Sequence, residues 1–485
     1  MFYGAVESIG LLDYICEDMF QGNSIKSVWD LILPPFILAF IYIFESQRVR
    51  SSIENDPKFE FYMKGLFFRI AGAMVLCLIY QFYYIGGDTI NYWGSGVIVN
   101  RMIFKDIWIY FKILAGDRSW ENYAAFDVST SYPDYMVRDA QSFAVVRFVS
   151  PFCFLTIRSY YSTSILVAWF TYGGVWRLYT IFTELFPNLQ REFAYSSLFI
   201  PSISFWGGGI LKDTFSLWSG CLFVYGFYRL FICRRISFKY LFLLVFSAYI
   251  MISIKPYIFI ALLPTCLLWF LGSWLRKVDS TFARTLVAPF FITLGIVFVS
   301  VIFGQMSEQL GDYASVDKTI QKAAVTQQDL KRTEYGGNSF NIGTFDGSIG
   351  SMLTLFPKAL FAGIFRPTIF DVRNPVMFLS AIENLFLSYV VFRTIIAAGL
   401  LGFWRRIFSQ PILMASILFV FFFGFAVGLT TSNFGSLVRY RIPLVPFLLS
   451  SMFIIRYLVQ KEKFENDNPE INYDELILQQ RKLEG

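Results

Sequence analysis

The chain has 485 residues, 56% of them hydrophobic and only 16% charged, with a formal charge of +6 and no histidine. That composition excludes catalysis or metal binding built on imidazole, and a mean hydropathy of +0.53 points to a membrane protein. The small basic excess sits in short Lys/Arg clusters beside apolar stretches, which suits anionic headgroups and excludes a nucleic-acid partner.

About 20 apolar residues at 1.5 Å rise cross the hydrocarbon core of a bilayer. Two stretches show the pattern plainly, TLVAPFFITLGIVFVSVIF at 285–303 and PILMASILFVFFFGFAVGL at 411–429. In chain order, spans are predicted near 28–46, 65–84, 161–180, 193–210, 213–232, 240–253, 256–272, 285–304, 378–401, 411–430 and 442–457. The fold expected is an all-α polytopic bundle of about eleven crossings, within a range of about ten to fourteen. Residues 1–27 form an extracytoplasmic segment with no cleavable-signal pattern, 28–457 the catalytic bundle, and 458–485 a charged cytoplasmic tail. Cys16, Cys77, Cys153, Cys221, Cys233 and Cys266 are scattered without a CxxC pair, so they read as small buried apolar residues.

Orientation follows from the basic clusters. Arg48, Arg50, Lys58 and Lys64 follow the first span, and further clusters stand at Arg229, Arg234, Arg235 and Lys239, at Arg276, Lys277 and Arg284, at Arg405 and Arg406, and at Lys461 and Lys463. Placing them in the cytoplasm puts the N-terminus outside, consistent with Glu7, Asp13, Glu17 and Asp18 in a stretch, 1–20, without Lys or Arg. Within 85–160 the apolar pieces 102–115 and 142–157 are interrupted by Lys105, Lys112 and Arg147 and are expected to be interfacial or partly inserted helices on the outer face. A second re-entrant or interfacial element is expected over 353–370. Residues 305–352 form the long polar insertion, with a surface helix in SVDKTIQKAAVTQQDLKRTE and then a Gly/Asn-rich segment; it is sized for a lid or acceptor-binding loop.

This topology sends several unusual residues to the outer side. Gly86-Gly87-Asp88 ends the second span, and PSISFWGGGILKD (201–213) carries Trp206, three glycines, Lys212 and Asp213. Lys255-Pro256, Arg366-Pro367 and Arg373 follow, and Arg439-Tyr440-Arg441 caps the last hairpin. Charges at membrane depth are costly and face a bundle interior or a wet cavity, and interrupted helices need their backbone satisfied there. A cavity lined by one or two carboxylates and several cations suits a phosphate or pyrophosphate. Without histidine, base work falls to Asp, Glu, Tyr or Lys. Each residue also has a plainer reading. Asp88 caps a helix after a glycine turn, Lys212 and Asp213 form an interfacial charge pair, the arginines snorkel to headgroups, and the triple glycine serves close helix packing.

GGDTINYW at 86–93, PSISFWGGGILKD at 201–213 and RYRIPLVPFLL at 439–449 together make the chain resemble the bacterial O-antigen and capsule polymerases. That group borders on the multi-spanning glycosyltransferases that use polyprenyl-phosphate-linked sugars. The resemblance implies a bacterial inner-membrane enzyme that takes a polyprenyl-(di)phosphate-linked donor, a glycan acceptor and membrane lipids as partners. By resemblance, Asp88 is the base for the acceptor hydroxyl, and Arg439 and Arg441 hold the lipid phosphate. The outer-face residues themselves add Asp213 as a second candidate catalytic carboxylate and Trp206, Lys212, Arg366 and Tyr440 as candidate substrate contacts. The polymerases hold two lipid-linked glycans with paired outer-loop arginines; here Lys331-Arg332 and Arg366 stand in that region without forming such a pair. No cofactor is implied and no metal-ligand cluster is evident, although a divalent cation at Asp88 or Asp213 stays open. The alternatives are a lipid-linked glycan transporter or flippase and a noncatalytic membrane scaffold.

Overall fold

The structure is a computed structural model in which residues 28–54, 56–277, 315–330, 339–343, 345–469 and 473–474 are described. Among them there is no strand, only helices and one isolated bridge between Ser339 and Asn433. Seven helical stretches are long and apolar enough to cross a membrane: Trp29–Ile53, Pro57–Tyr83, Lys212–Ile232, Pro256–Leu275, Pro375–Ala398, Pro411–Thr430 and Phe434–Asp467. An eighth arises if Ala140–Leu155 and Tyr160–Leu185, bent by 113° at their junction, count as one broken span. The chain is thus an all-helical protein of membrane character.

Other expected segments take different forms. Residues 193–210 are divided between two short helices, Gln190–Ser197 and Pro201–Trp206, followed by the open glycine segment. The stretch near 240–253 is a helix, Phe238–Ile254, somewhat short for a crossing. The piece at 102–115 is broken at Asp106, whose carboxylate accepts from the amides of Trp108 and Ile109 and so starts a new helix, Ile107–Ala115. Gly116, at φ 112°, closes that helix in the left-handed conformation a side chain would resist. Ile349–Phe365 occupies most of the expected element at 353–370, and Val316–Asp329 is the expected polar helix. The predicted span 285–304, residues 1–27 and Lys331-Arg332 lie outside the described residues.

The chain divides into two compact units, and each is taken by itself. The first comprises Met1–Gly173 and Ile203–Trp218. In it the helix Glu60–Leu78 meets the glycine segment at backbone distance: a Cβ on Gly72 would stand 2.6 Å from the Ser204 carbonyl, and one on Gly208 would stand 2.3 Å from the same oxygen. A Cβ on Gly209 would press into Leu76 at 2.4 Å. The triple glycine therefore serves close packing. Arg69, in the middle of the apolar helix and 2% exposed, donates to the Gly207 carbonyl and to Thr171 Oγ1. Its guanidinium supplies donors where the chain has opened, the condition for irregular backbone at membrane depth. Two further buried carboxylates are used structurally. Asp30 accepts from the Ser159 hydroxyl and the Tyr161 amide, and Glu45 accepts from the Trp169 indole.

The second unit comprises Gly174–Ser202 and Ser219–Gly485. Its tightest contact joins Ile349–Phe365 to Pro411–Thr430. A Cβ on Gly363 would fall 1.8 Å from the Gly424 carbonyl oxygen, and one on Gly428 would fall 1.9 Å from that of Ala359. Small residues four apart on both helices let the backbones touch, the usual device for helix association in lipid. Pro375 and Pro411 stand at first helical positions, where their missing N–H costs nothing. Cys77, Cys153, Cys221 and Cys266 are buried and Cys233 is half-buried, all as thiols.

Candidate functional site

In the first unit, Asp88 opens the helix Asp88–Lys105. Gly86 and Gly87, at φ 144° and 102°, turn the chain out of the preceding helix through conformations that an L side chain resists. A Cβ on Gly87 would also stand 3.0 Å from the Tyr80 ring. The turn thus fixes where Asp88 begins its helix, half-buried.

Around it, besides Lys212, are Tyr135, Arg138 and Asp139, which the sequence did not single out. Tyr135 lies close enough for burial and then the Asp88 charge to push its hydroxyl above its ordinary value, while Asn91 and Arg138 act the other way. The Tyr135 ring is 5.4 Å from that of Tyr92, and the Tyr92 hydroxyl is 3.3 Å from Ser142 Oγ. Ser142 donates to Asp139 at 2.5 Å, and Lys212 donates to the same Asp139 oxygen at 3.0 Å. Burial works to raise the Asp139 carboxyl, but the Lys212 charge and the Ser142 hydrogen bond outweigh it and hold the group at about 2. Asp139 also starts the helix Ala140–Leu155 by accepting from the Gln141 amide. The cluster therefore brings Asp88, Tyr135, Arg138, Asp139 and Lys212 into one electrostatic neighbourhood. A negatively charged ligand approaching Lys212 competes with Asp139 for it.

The other predicted residues of this unit point inward. Asp213 is 2% exposed and Trp206 is buried, edge-on to Phe205 at 4.7 Å. The Trp206 carbonyl accepts from Thr214. Both are almost wholly enclosed by the protein. Among the described residues no three His, Cys, Asp or Glu side chains gather as a metal site would require.

In the second unit, Arg439 and Arg441 part company. Arg441 has no exposed surface; Nη1 donates to the carbonyls of Ile364 and Arg366, and Nη2 donates to Asn384 Oδ1. Asn384 in turn donates to the Pro367 carbonyl at 2.7 Å, and its neighbour Glu383 accepts from both the amide and the hydroxyl of Ser202. Arg441 is a structural clamp on the turn at 364–367. Arg366 is engaged as well. It forms a two-bond ion pair with Asp371 and lies 4.8 and 5.0 Å from the ring centres of Phe340 and Phe434. Although burial opposes it, Arg366 with the Thr368 amide and hydroxyl holds Asp371 below the ordinary carboxylate range. Arg439 and Tyr440 are half-buried, and Lys255 reaches over the Tyr440 ring at 4.1 Å. Lys255 and Tyr440, both on the sequence-based roster of unusual residues, are thus neighbours.

A surface cleft of about 300 Å³ lies elsewhere in this unit, lined by Arg405, Arg406, Lys461 and Glu462 among others. Glu462 pairs with both arginines, so these charges on the wall of the cleft are engaged with one another. Comparison with protein-family models, curated proteins and solved structures finds no match.

Proposed function

We propose that the chain is a membrane glycosyltransferase or polysaccharide polymerase that moves a sugar or repeat unit from a polyprenyl (di)phosphate to a glycan acceptor. The observation that carries this reading is the Asp88–Tyr135–Arg138–Asp139–Lys212 cluster, where two half-buried carboxylates and two cations share one neighbourhood beside long apolar helices. In the reaction the acceptor hydroxyl oxygen attacks the anomeric carbon while Asp88 takes its proton. The bond from that carbon to the lipid phosphate oxygen breaks, and the phosphate leaves with the electron pair. Lys212 and Arg138 offset the charge that develops on it, an interaction strengthened where water is partly excluded. In the second unit, taken by itself, Arg439 next to Tyr440 in the chain is a separate candidate contact for a lipid phosphate. The proposed setting is the bacterial cytoplasmic membrane, with about eleven crossings, the N-terminus outside and the C-terminus inside.

The test is the envelope glycan profile of cells lacking the gene, complemented with wild type or Asp88→Asn at matched membrane level. A lost polymer ladder with single units retained identifies a polymerase; a uniform loss of one sugar identifies a transferase; Asp88→Asn should fail to restore either. Full restoration by Asp88→Asn sinks the assignment of the base. A lipid-linked glycan flippase is the second reading, favoured by the 113° bend between Ala140–Leu155 and Tyr160–Leu185. It is distinguished by complete lipid-linked precursors stranded on the inner leaflet. No glycan change on deletion leaves a scaffold.

A further inference from the structure

Residues 116–139 of the first unit form a folded lobe. Asp127 Oδ1 accepts from the Ser129 amide and hydroxyl and from the Thr130 amide, and Lys105 ties down the Ala125 carbonyl and the Asp127 carboxylate. Arg118 donates to the Met136 carbonyl at 2.8 Å and so holds the start of the lobe against its end. On this frame stands a row of aromatic rings. Trp120, 73% exposed, is 5.2 Å from Tyr123, which is 5.8 Å from the exposed Tyr132. Three residues beyond Tyr132 comes Tyr135, in the Asp88 cluster; three extended residues reach at most about 10 Å.

The setting of these rings identifies their occupant. Glu121, Asp134 and Arg138 are exposed among them, and charges of this density are expelled from hydrocarbon. A lipid-like surface, made by Phe104, Ile107, Trp108 and Phe111, all largely exposed, lies on the segment preceding the lobe, and within the lobe the exposed aliphatic side chains are the separate Val128 and Val137. A sugar presents a C–H face to an aromatic ring and a rim of hydroxyls to charged and amide groups. Tyr and Trp offer rigid contact area at little entropic cost. The ring-to-ring spacings are of the order of one sugar ring.

We propose that the row Trp120–Tyr123–Tyr132 is a subsite for the glycan acceptor and holds more than one sugar unit behind the unit that reaches Asp88. The inference rests on the transferase reading for the chemistry of its occupant, and it favours a polymerising enzyme over one that adds a single sugar to a small acceptor.

The experiment uses the full chain in detergent and a length series of oligosaccharides, from monosaccharide to hexasaccharide, cut from the host's own envelope polysaccharide. Binding is read by fluorescence for wild type, Trp120→Ala, Tyr132→Ala, Trp120→Phe and Asp88→Asn, each checked for native elution. Wild type should bind more tightly as the chain lengthens. Trp120→Ala and Tyr132→Ala should each weaken the longer ligands by about tenfold, and Trp120→Phe should recover most of that loss. Asp88→Asn should bind normally and form no product. Unchanged binding in both alanine variants overturns the subsite while leaving the transferase reading intact. Normal binding and normal product in Asp88→Asn overturns the base but keeps the subsite. If no oligosaccharide binds, and brominated lipid in nanodiscs quenches the Trp120 emission, the rings are a headgroup anchor and the proposal fails.

Discussion

A guanidinium with no exposed surface must find acceptors for its N–H groups inside the protein. Arg441 finds them for Nη1 on the carbonyls of Ile364 and Arg366 and for Nη2 on the side-chain oxygen of Asn384, while its Nε–H meets no acceptor among the described residues. Removing the guanidinium leaves these neutral acceptors buried and unmet, at about 1–3 kcal/mol for each group that finds no new partner. Arg441→Ala should therefore lower the yield and melting temperature of the purified protein, and by more than Arg439→Ala, at a half-buried position, does. A well-folded Arg441→Ala protein that has lost only activity would return Arg441 to the substrate. The sequence marked both arginines for their charge near a span, and charge alone could not separate them. What separates them is burial against residues 57 to 77 positions away, which no local pattern carries. Asp139 was illegible for the same reason, since its ion pair spans 73 positions. The helix start at Asp88 was legible because the two glycines before it are a local signal, and both stand at positive φ.

At the scale of helices, the contact between Ile349–Phe365 and Pro411–Thr430 leaves no room for a side chain at Gly363 or Gly428. Gly428→Val has to push the helices apart and should cost at least about 1–3 kcal/mol, seen as a lower melting temperature in detergent. Gly94→Ala, where a Cβ meets nothing within 4 Å, should melt at or above wild type. Equal melting of the two variants would mean that this backbone contact does not hold the helices together. The long apolar helices were readable from length and hydropathy, because a window of about 20 residues averages what the bilayer itself averages. Residues 193–210 defeated that average. Phe199, Ile200, Phe205 and Trp206 raise its hydropathy, while Pro201 and Gly207–Gly209 divide the backbone into short helices.

For the whole molecule, composition alone indicated a helical membrane protein, since no pairing of distant residues enters that inference. Orientation rests on the basic clusters and can be checked directly. In a cysteine-free background, Ser129→Cys should react with an impermeant maleimide in intact cells, and Ser409→Cys, in the Leu400–Ser409 helix beside Arg405 and Arg406, only after permeabilisation. The reverse pattern inverts the topology and moves the Asp88 cluster to the cytoplasmic side. The Arg441 clamp also has a consequence for biogenesis. Its acceptor at Ile364 leaves the ribosome 77 residues before the arginine does, a delay of roughly 4–15 s at 5–20 residues per second. Throughout that interval the turn at 364–367 has none of its final donors from Arg441; the clamp forms only after the arginine has been made, and a chain cut before that point lacks it altogether.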